Sequence, residues 1–107
     1  MATIEDFMKI QMVSAQIKEV ADHPNADRLY VLKVDVGEEE PRQLVAGIRK
    51  SYQKEELVGK RIIVIKNLEP AVIRGEESQG MLLAVTGENG PVLLTPEKEV
   101  PLGSQVR

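Results

Sequence analysis

Hydrophobic and polar positions alternate along most of this chain in short runs, and none extends far enough for a long helix. From Leu29 to Val36, Tyr30, Leu32, Val34 and Val36 fall on one side and Lys33 and Asp35 on the other. That period of two predicts a half-buried strand. Gln43–Ile48 reads as the next strand, after an acidic loop of Gly37, Glu38, Glu39, Glu40 and Pro41. Lys60–Lys66 encloses the continuous apolar run Ile62-Ile63-Val64-Ile65, which predicts a strand buried on both faces. Met81–Val85 and Val92–Thr95 flank Asn89-Gly90, a turn signal. Gly87 and Pro91 beside it predict a loop longer than two residues.

The first strand has a conflict of phase. Ile10 and Met12 share one side, Ala15 and Ile17 the other. An extra residue near Val13-Ser14 resolves it, so a bulge is expected there, bending a long strand. Helical signals are brief. Thr3-Ile4-Glu5-Asp6 reads as a capping box, with Ile4, Phe7 and Met8 on one face, expected to plug one end of the core. Lys54–Leu57 is enough for about one turn. The pattern therefore predicts an all-β fold. A five-stranded OB barrel fits it, with a short N-terminal helix, a bent first strand, a small helical connection and a C-terminal strand extension. An SH3-like barrel or a small sandwich is the alternative.

Composition narrows the class. A chain of 107 residues is expected to form one domain, residues 1–107. Aromatic residues are 3%, so Val, Ile and Leu must fill the core. No apolar run approaches the roughly 20 residues that span a bilayer. There is no secretory signal pattern, and with no cysteine neither disulfides nor thiolate zinc sites can form. These features lead us to expect a cytoplasmic protein without a cofactor or metal.

The residues offer little for catalysis. His23, the single histidine, lies in the turn segment Asp22–Asp27 with no evident partner, and a general base needs one. Ser78 lacks a nucleophile-elbow context. Gly75 and Gly80 are too sparse for a phosphate loop, and the glutamate clusters lack metal-loop spacing. Binding fits better. The net charge is −3, but residues 1–66 carry 11 of the 14 basic residues against 11 of the 17 acidic ones, so a local cationic face is possible. Lys33, Arg42, Arg49, Lys50, Arg61, Lys66 and Arg74 are its candidates, and Tyr52 lies near Lys50 in sequence. In an OB barrel the second and third strands form the usual nucleic-acid face. So few aromatic platforms favour recognition of a folded nucleic acid by shape over threading of a single strand.

Four motifs then occur in order. They are His23-Pro24-Asn25-Ala26-Asp27-Arg28-Leu29-Tyr30, Val45-Ala46-Gly47-Ile48, Asn67-Leu68-x-Pro70, and Gly75-x-x-Ser78-x-Gly80-Met81-x-Leu83-Ala84. Together they resemble the tRNA-binding domain family, which includes C-terminal domains of bacterial methionyl-tRNA synthetases and free-standing tRNA-binding proteins. Ile4-x-x-Phe7-x-Lys9-Ile10 and Leu94-Thr95-Pro96-x-Lys98-x-Val100-Pro101-x-Gly103 are most similar to the methionyl type. The resemblance covers essentially the whole chain. It implies an OB fold, homodimerisation and structure-specific, largely sequence-independent binding of tRNA near its outer corner. The implied role is non-catalytic, assisting a methionyl-tRNA synthetase catalytic domain. By position, Asn67, Arg74, Ser78, Gln79 and Met81 would belong to the family's shared cleft, bordered by Asp27, Arg28 and Lys33. Two positions depart from the pattern: Val13 stands where the family often has arginine, and Ala46 where serine is common. Export-related relatives imply an alternative, a chaperone-like peptide-binding module with Met81 as an adaptable apolar surface.

Overall fold

The computed structural model describes residues 1–107. Helix α1 (Ile4–Met8) begins as the sequence predicts. Thr3 Oγ1 accepts from the Asp6 N–H at 3.2 Å, and the Asp6 carboxylate accepts from the Thr3 N–H at 3.0 Å. The helix does not plug the core, however. Ile4 is 74% and Met8 52% exposed, and none of its residues is buried. The helical side chain that enters the core is Leu57, from α2 (Lys54–Leu57).

The strands in chain order are β1 (Met12–Asp22), β2 (Tyr30–Asp35), β3 (Arg42–Ala46), β4 (Arg61–Ile65), β5 (Ala71–Ile73), β6 (Glu76–Ser78), β7 (Met81–Leu82), β8 (Ala84–Gly87) and β9 (Gly90–Leu93). Five of them form an antiparallel sheet in the order β3-β2-β1-β4-β7. Its two edges, β3 and β7, approach each other, giving the nearly closed five-stranded barrel of an OB-like fold. The core is aliphatic: Val13, Ala15, Ile17, Leu32, Val34, Leu44, Ile62 and Val64 are all buried. Strand β2 keeps the predicted alternation, with Tyr30 inside.

Strand β1 is long and carries a bulge, but at Lys18 and not at Val13-Ser14. Ile17 pairs with Val34 and Glu19 with Lys33, leaving Lys18 as the extra residue. The inward set is Val13, Ala15 and Ile17 before the bulge and Val20 after it. Met12 faces outward. The expected position was wrong because burial at the start of β1 does not come from the barrel alone. The C-terminal segment occupies the edge of β1 that β2 leaves free. The Ser14 N–H donates to Ser104 O at 2.9 Å, the Gly103 N–H donates to Ser14 O at 2.8 Å, and Ser14 Oγ donates to Pro101 O at 2.8 Å. This extension hides an open strand edge.

Two further expectations are corrected. Strand β4 buries Ile62 and Val64, but Ile63 and Ile65 are only half-buried, because its outer face lacks a full covering layer. The β8–β9 hairpin closes through Glu88-Asn89 alone, with Gly87 paired to Gly90 and Pro91 accommodated opposite Thr86. No helix is long and apolar enough to cross a membrane.

Candidate functional site

The segment between β4 and β7 is not an irregular loop. It holds the β5–β6 hairpin, in which Ile73 pairs with Glu76 across Arg74-Gly75. Arg74 has φ 54° and Gly75 φ 95°. Positive φ at both central residues is the mark of a type I′ turn, whose twist matches the flanking strands. Glycine takes the second position freely, while arginine in the left-handed region costs about 1–2 kcal/mol. The turn thus carries an exposed arginine at its tip.

The hairpin is anchored at both ends. At its base Ser78 is buried; its Oγ accepts from the Val45 N–H at 3.0 Å and donates to Gly80 O at 2.9 Å. Near its tip His23, also buried, bonds through both ring nitrogens. Nδ1 accepts from the Asn25 N–H at 3.0 Å, so Nε2 carries the proton it donates to Ile73 O at 2.9 Å. Asn25 Nδ2 donates to Arg74 O at 3.2 Å. The atoms considered for catalysis, those of His23 and Ser78, are thus engaged in holding backbone.

Several candidate site residues close the barrel. The Gln79 N–H donates to Gln43 O at 2.7 Å, and Gln79 Oε1 accepts from the Gln43 N–H at 2.9 Å. Lys33 Nζ donates to Gln43 Oε1 at 2.8 Å, and Gln43 Nε2 donates to Glu77 O at 2.8 Å. Arg42 chelates Glu38 at 2.9 and 3.1 Å and reaches Lys66 O at 2.6 Å and Gln79 O at 3.1 Å. The Arg42 hydrogen bond, with its charge and that of Lys66, holds the Glu38 carboxyl below the usual carboxylate range. Asn67 Oδ1 accepts from the Gln11 N–H at 2.8 Å, and its Nδ2 donates to Lys9 O at 2.6 Å, tying down the segment after α1. Arg49 donates to Ala26 O at 3.3 Å and lies 3.4 Å from Asp22. Arg61 bonds Val100 O and Glu99. Tyr52 packs on the core, its hydroxyl accepting from the Leu93 N–H at 3.1 Å.

Lys18, Arg28, Lys50, Arg74, Lys98 and Arg107 are exposed without an acidic partner within 4.0 Å. Three of them, Arg28, Lys50 and Arg74, come together. They line adjoining concavities. One, of about 430 Å³, is walled by Asn25 to Leu29 and Arg74; the other, of about 400 Å³, by Arg28, Gly47, Lys50, Ser51 and the β8–β9 turn. Arg28 belongs to both. The sequence reading gave Arg28 only a bordering role, although its position after the Asn25-Ala26-Asp27 turn marks it as exposed. Met81 is 53% exposed, on the strand that follows the Ser78–Gly80 bend.

Comparison with known proteins matches residues 12–105 to the family described as "Putative tRNA binding domain". The chain is 53% identical over 103 residues to the methionine--tRNA ligase of Thermococcus onnurineus, spanning 96% of this chain and 14% of that protein. The chain therefore corresponds to a small part of that relative's length. Among solved structures, the MetRS related protein from Pyrococcus horikoshii superimposes with a TM-score of 0.90 at 36% identity, covering 100% of this chain and 98% of that one. The CsaA chaperone protein from Picrophilus torridus superimposes with a TM-score of 0.92 at 34% identity, covering both chains completely.

Proposed function

The chain belongs to the tRNA-binding domain family, and on that premise we propose that it binds tRNA as a non-catalytic module spanning residues 1–107, recognising shape largely without regard to sequence. The observation that carries the reading is that the unpaired cations Arg28, Lys50 and Arg74 line two concavities that share Arg28. Phosphates fit such a set of cations, and phosphate contacts carry no sequence information directly. The family and its methionine--tRNA ligase relatives support a role beside a methionyl-tRNA synthetase catalytic domain, as an appended domain, subunit or free-standing partner in the cytoplasm.

The module acts as a homodimer. Apolar residues left exposed on α1, Ile4 and Met8, and on the β8–β9 hairpin, Val85 and Val92, support this, since a second copy would remove them from water. Two copies would also double the cationic area of a protein with net charge −3, and linked sites gain avidity.

Binding of bulk tRNA at low salt and micromolar protein tests the reading. Retention that weakens steeply with salt supports it, and absence of retention rejects it. A protein-binding role is the second reading. It is favoured by the exposed Met81 and by the likeness to a chaperone structure. An unfolded peptide that binds more tightly than tRNA, and loses affinity on Met81→Ala, would select it.

A further inference from the structure

We infer that His23 is a positioning residue for RNA binding: through Ile73 O it latches the β5–β6 hairpin onto the 23–27 turn and so sets Arg74 beside Arg28. The inference rests on the reading that Arg74 contacts tRNA.

The base of the hairpin is held to β3 by Ser78 Oγ on the Val45 N–H and by Gln43 Nε2 on Glu77 O, but its tip is held by this latch. Its strands are three residues each, and they form a two-stranded sheet of their own. Such a ribbon is marginal in water without packing. Ala71, Val72 and Glu77 are exposed, and the buried anchor at its base, Ser78, is four residues from Arg74. At the other end two successive carbonyls, those of Ile73 and Arg74, accept from His23 and Asn25 at 2.9 and 3.2 Å. With the latch closed, the tip cation is held at one place on the groove wall. With it open, Arg74 must be ordered when RNA binds, and that entropy is lost from affinity.

The ring geometry separates latching from filling space. An asparagine at 23 reaches only as far as Nδ1, so it keeps the bond from the Asn25 N–H and gives up Ile73. A glutamine reaches the Nε2 position and can donate to Ile73 O. Tests use the full chain, with amide hydrogen exchange across Val72–Glu77 and tRNA affinity measured on the same variants. His23→Asn is expected to raise exchange in the hairpin and to weaken tRNA binding by about three- to tenfold, the scale of ordering one residue of the tip. His23→Gln should stay within about twofold of wild type. Arg74→Ala should cost less in the His23→Asn background than in wild type, since the unlatched tip has already lost part of what Arg74 contributes. Should His23→Asn fail to fold, Asn25→Ala opens the outer bond without a buried change and is expected to shift exchange and affinity in the same direction. Unchanged exchange in His23→Asn, or a glutamine variant as weak as asparagine, overturns the latch. So does full additivity with Arg74→Ala. If Arg74→Ala alone leaves tRNA affinity intact while exchange responds as expected, the fault lies with Arg74 as an RNA contact, and the positioning role falls with it.

Discussion

Gln79 meets Gln43 as a strand residue would, except that one of its two bonds is made by its side chain. The Gln79 N–H donates to Gln43 O at 2.7 Å, and the Gln43 N–H is accepted by Gln79 Oε1 at 2.9 Å. Where β3 lacks a neighbouring strand, an amide side chain completes the ladder. The same seam is continued by Ser78 Oγ on the Val45 N–H. Backbone groups at such a seam must be satisfied, and here side chains satisfy them.

Gln79→Ala leaves the Gln43 N–H without its partner in a half-buried setting. It is expected to lower unfolding stability by about 1–3 kcal/mol. Gln79→Glu keeps an acceptor at the same reach and should cost less. Urea titration of the two variants gives the comparison, with unchanged m-values showing that the native barrel persists.

The free and the committed cations should separate in a salt titration. Arg28→Ala, Lys50→Ala and Arg74→Ala are each expected to weaken tRNA binding and to reduce the slope of log affinity against log salt by about 0.7–0.9. Arg42→Ala should act first on stability, because its guanidinium holds Glu38, Lys66 O and Gln79 O together. Equal slopes for Arg28→Ala and wild type would remove Arg28 from the interface.

Asn67→Ala breaks two bonds to the segment that follows α1, at 2.8 Å to Gln11 and 2.6 Å to Lys9. A net loss of about 0.5–1.5 kcal/mol per bond is the usual scale, and solvent exposure puts this pair at its lower end. Hydrogen exchange should rise in residues 4–11.

Acid titration should reveal Glu38. Its carboxyl is held low chiefly by the Arg42 hydrogen bond, so the folded state prefers it ionised. The resulting stability is fully present above the ordinary carboxylate pKa of the unfolded chain. It is lost as pH falls through that value and then through the lowered folded one. Because Glu38 is 37% exposed, the pair belongs to the surface class, worth about 0.2–1 kcal/mol. Thermal unfolding of Glu38→Gln against wild type from neutral pH into acid should show the gap between them closing.

Much of the barrel was legible because period-two alternation in β2, and the apolar run in β4, depend on neighbours a few residues away. The capping box at Thr3 was legible for the same reason. The bulge was displaced because the phase break at Lys18 was masked by burial of Ser14 under Pro101 and Ser104, residues almost ninety positions on. Local pattern carries no sign of such a partner. The candidate site divides along similar lines. That Arg74 would be exposed could be read from Arg74-Gly75 between an apolar run, Ala71-Val72-Ile73, and the polar Glu76-Glu77-Ser78-Gln79. That Ser78, Gln79, Asn67 and Arg42 bond to other segments of the chain could not, since those segments are distant in sequence. A serine or amide that caps a barrel seam and one that faces a ligand look identical in one dimension.

Strand β1 pairs with β4 through Met12–Gln16 and with β2 through Gln16–Asp22, with Gln16 common to both. The two halves of the barrel are therefore joined through one strand and cannot be completed separately. Its pairing with β4 must close a long loop before any of its bonds are gained, whereas β2–β3 is a local hairpin. Folding should thus wait on β1 reaching β4, on the millisecond-to-second scale of non-local β topologies. Substitutions at Ala15 or Ile62, which face each other across that pairing, should slow folding more than those in β8–β9, which should mainly hasten unfolding.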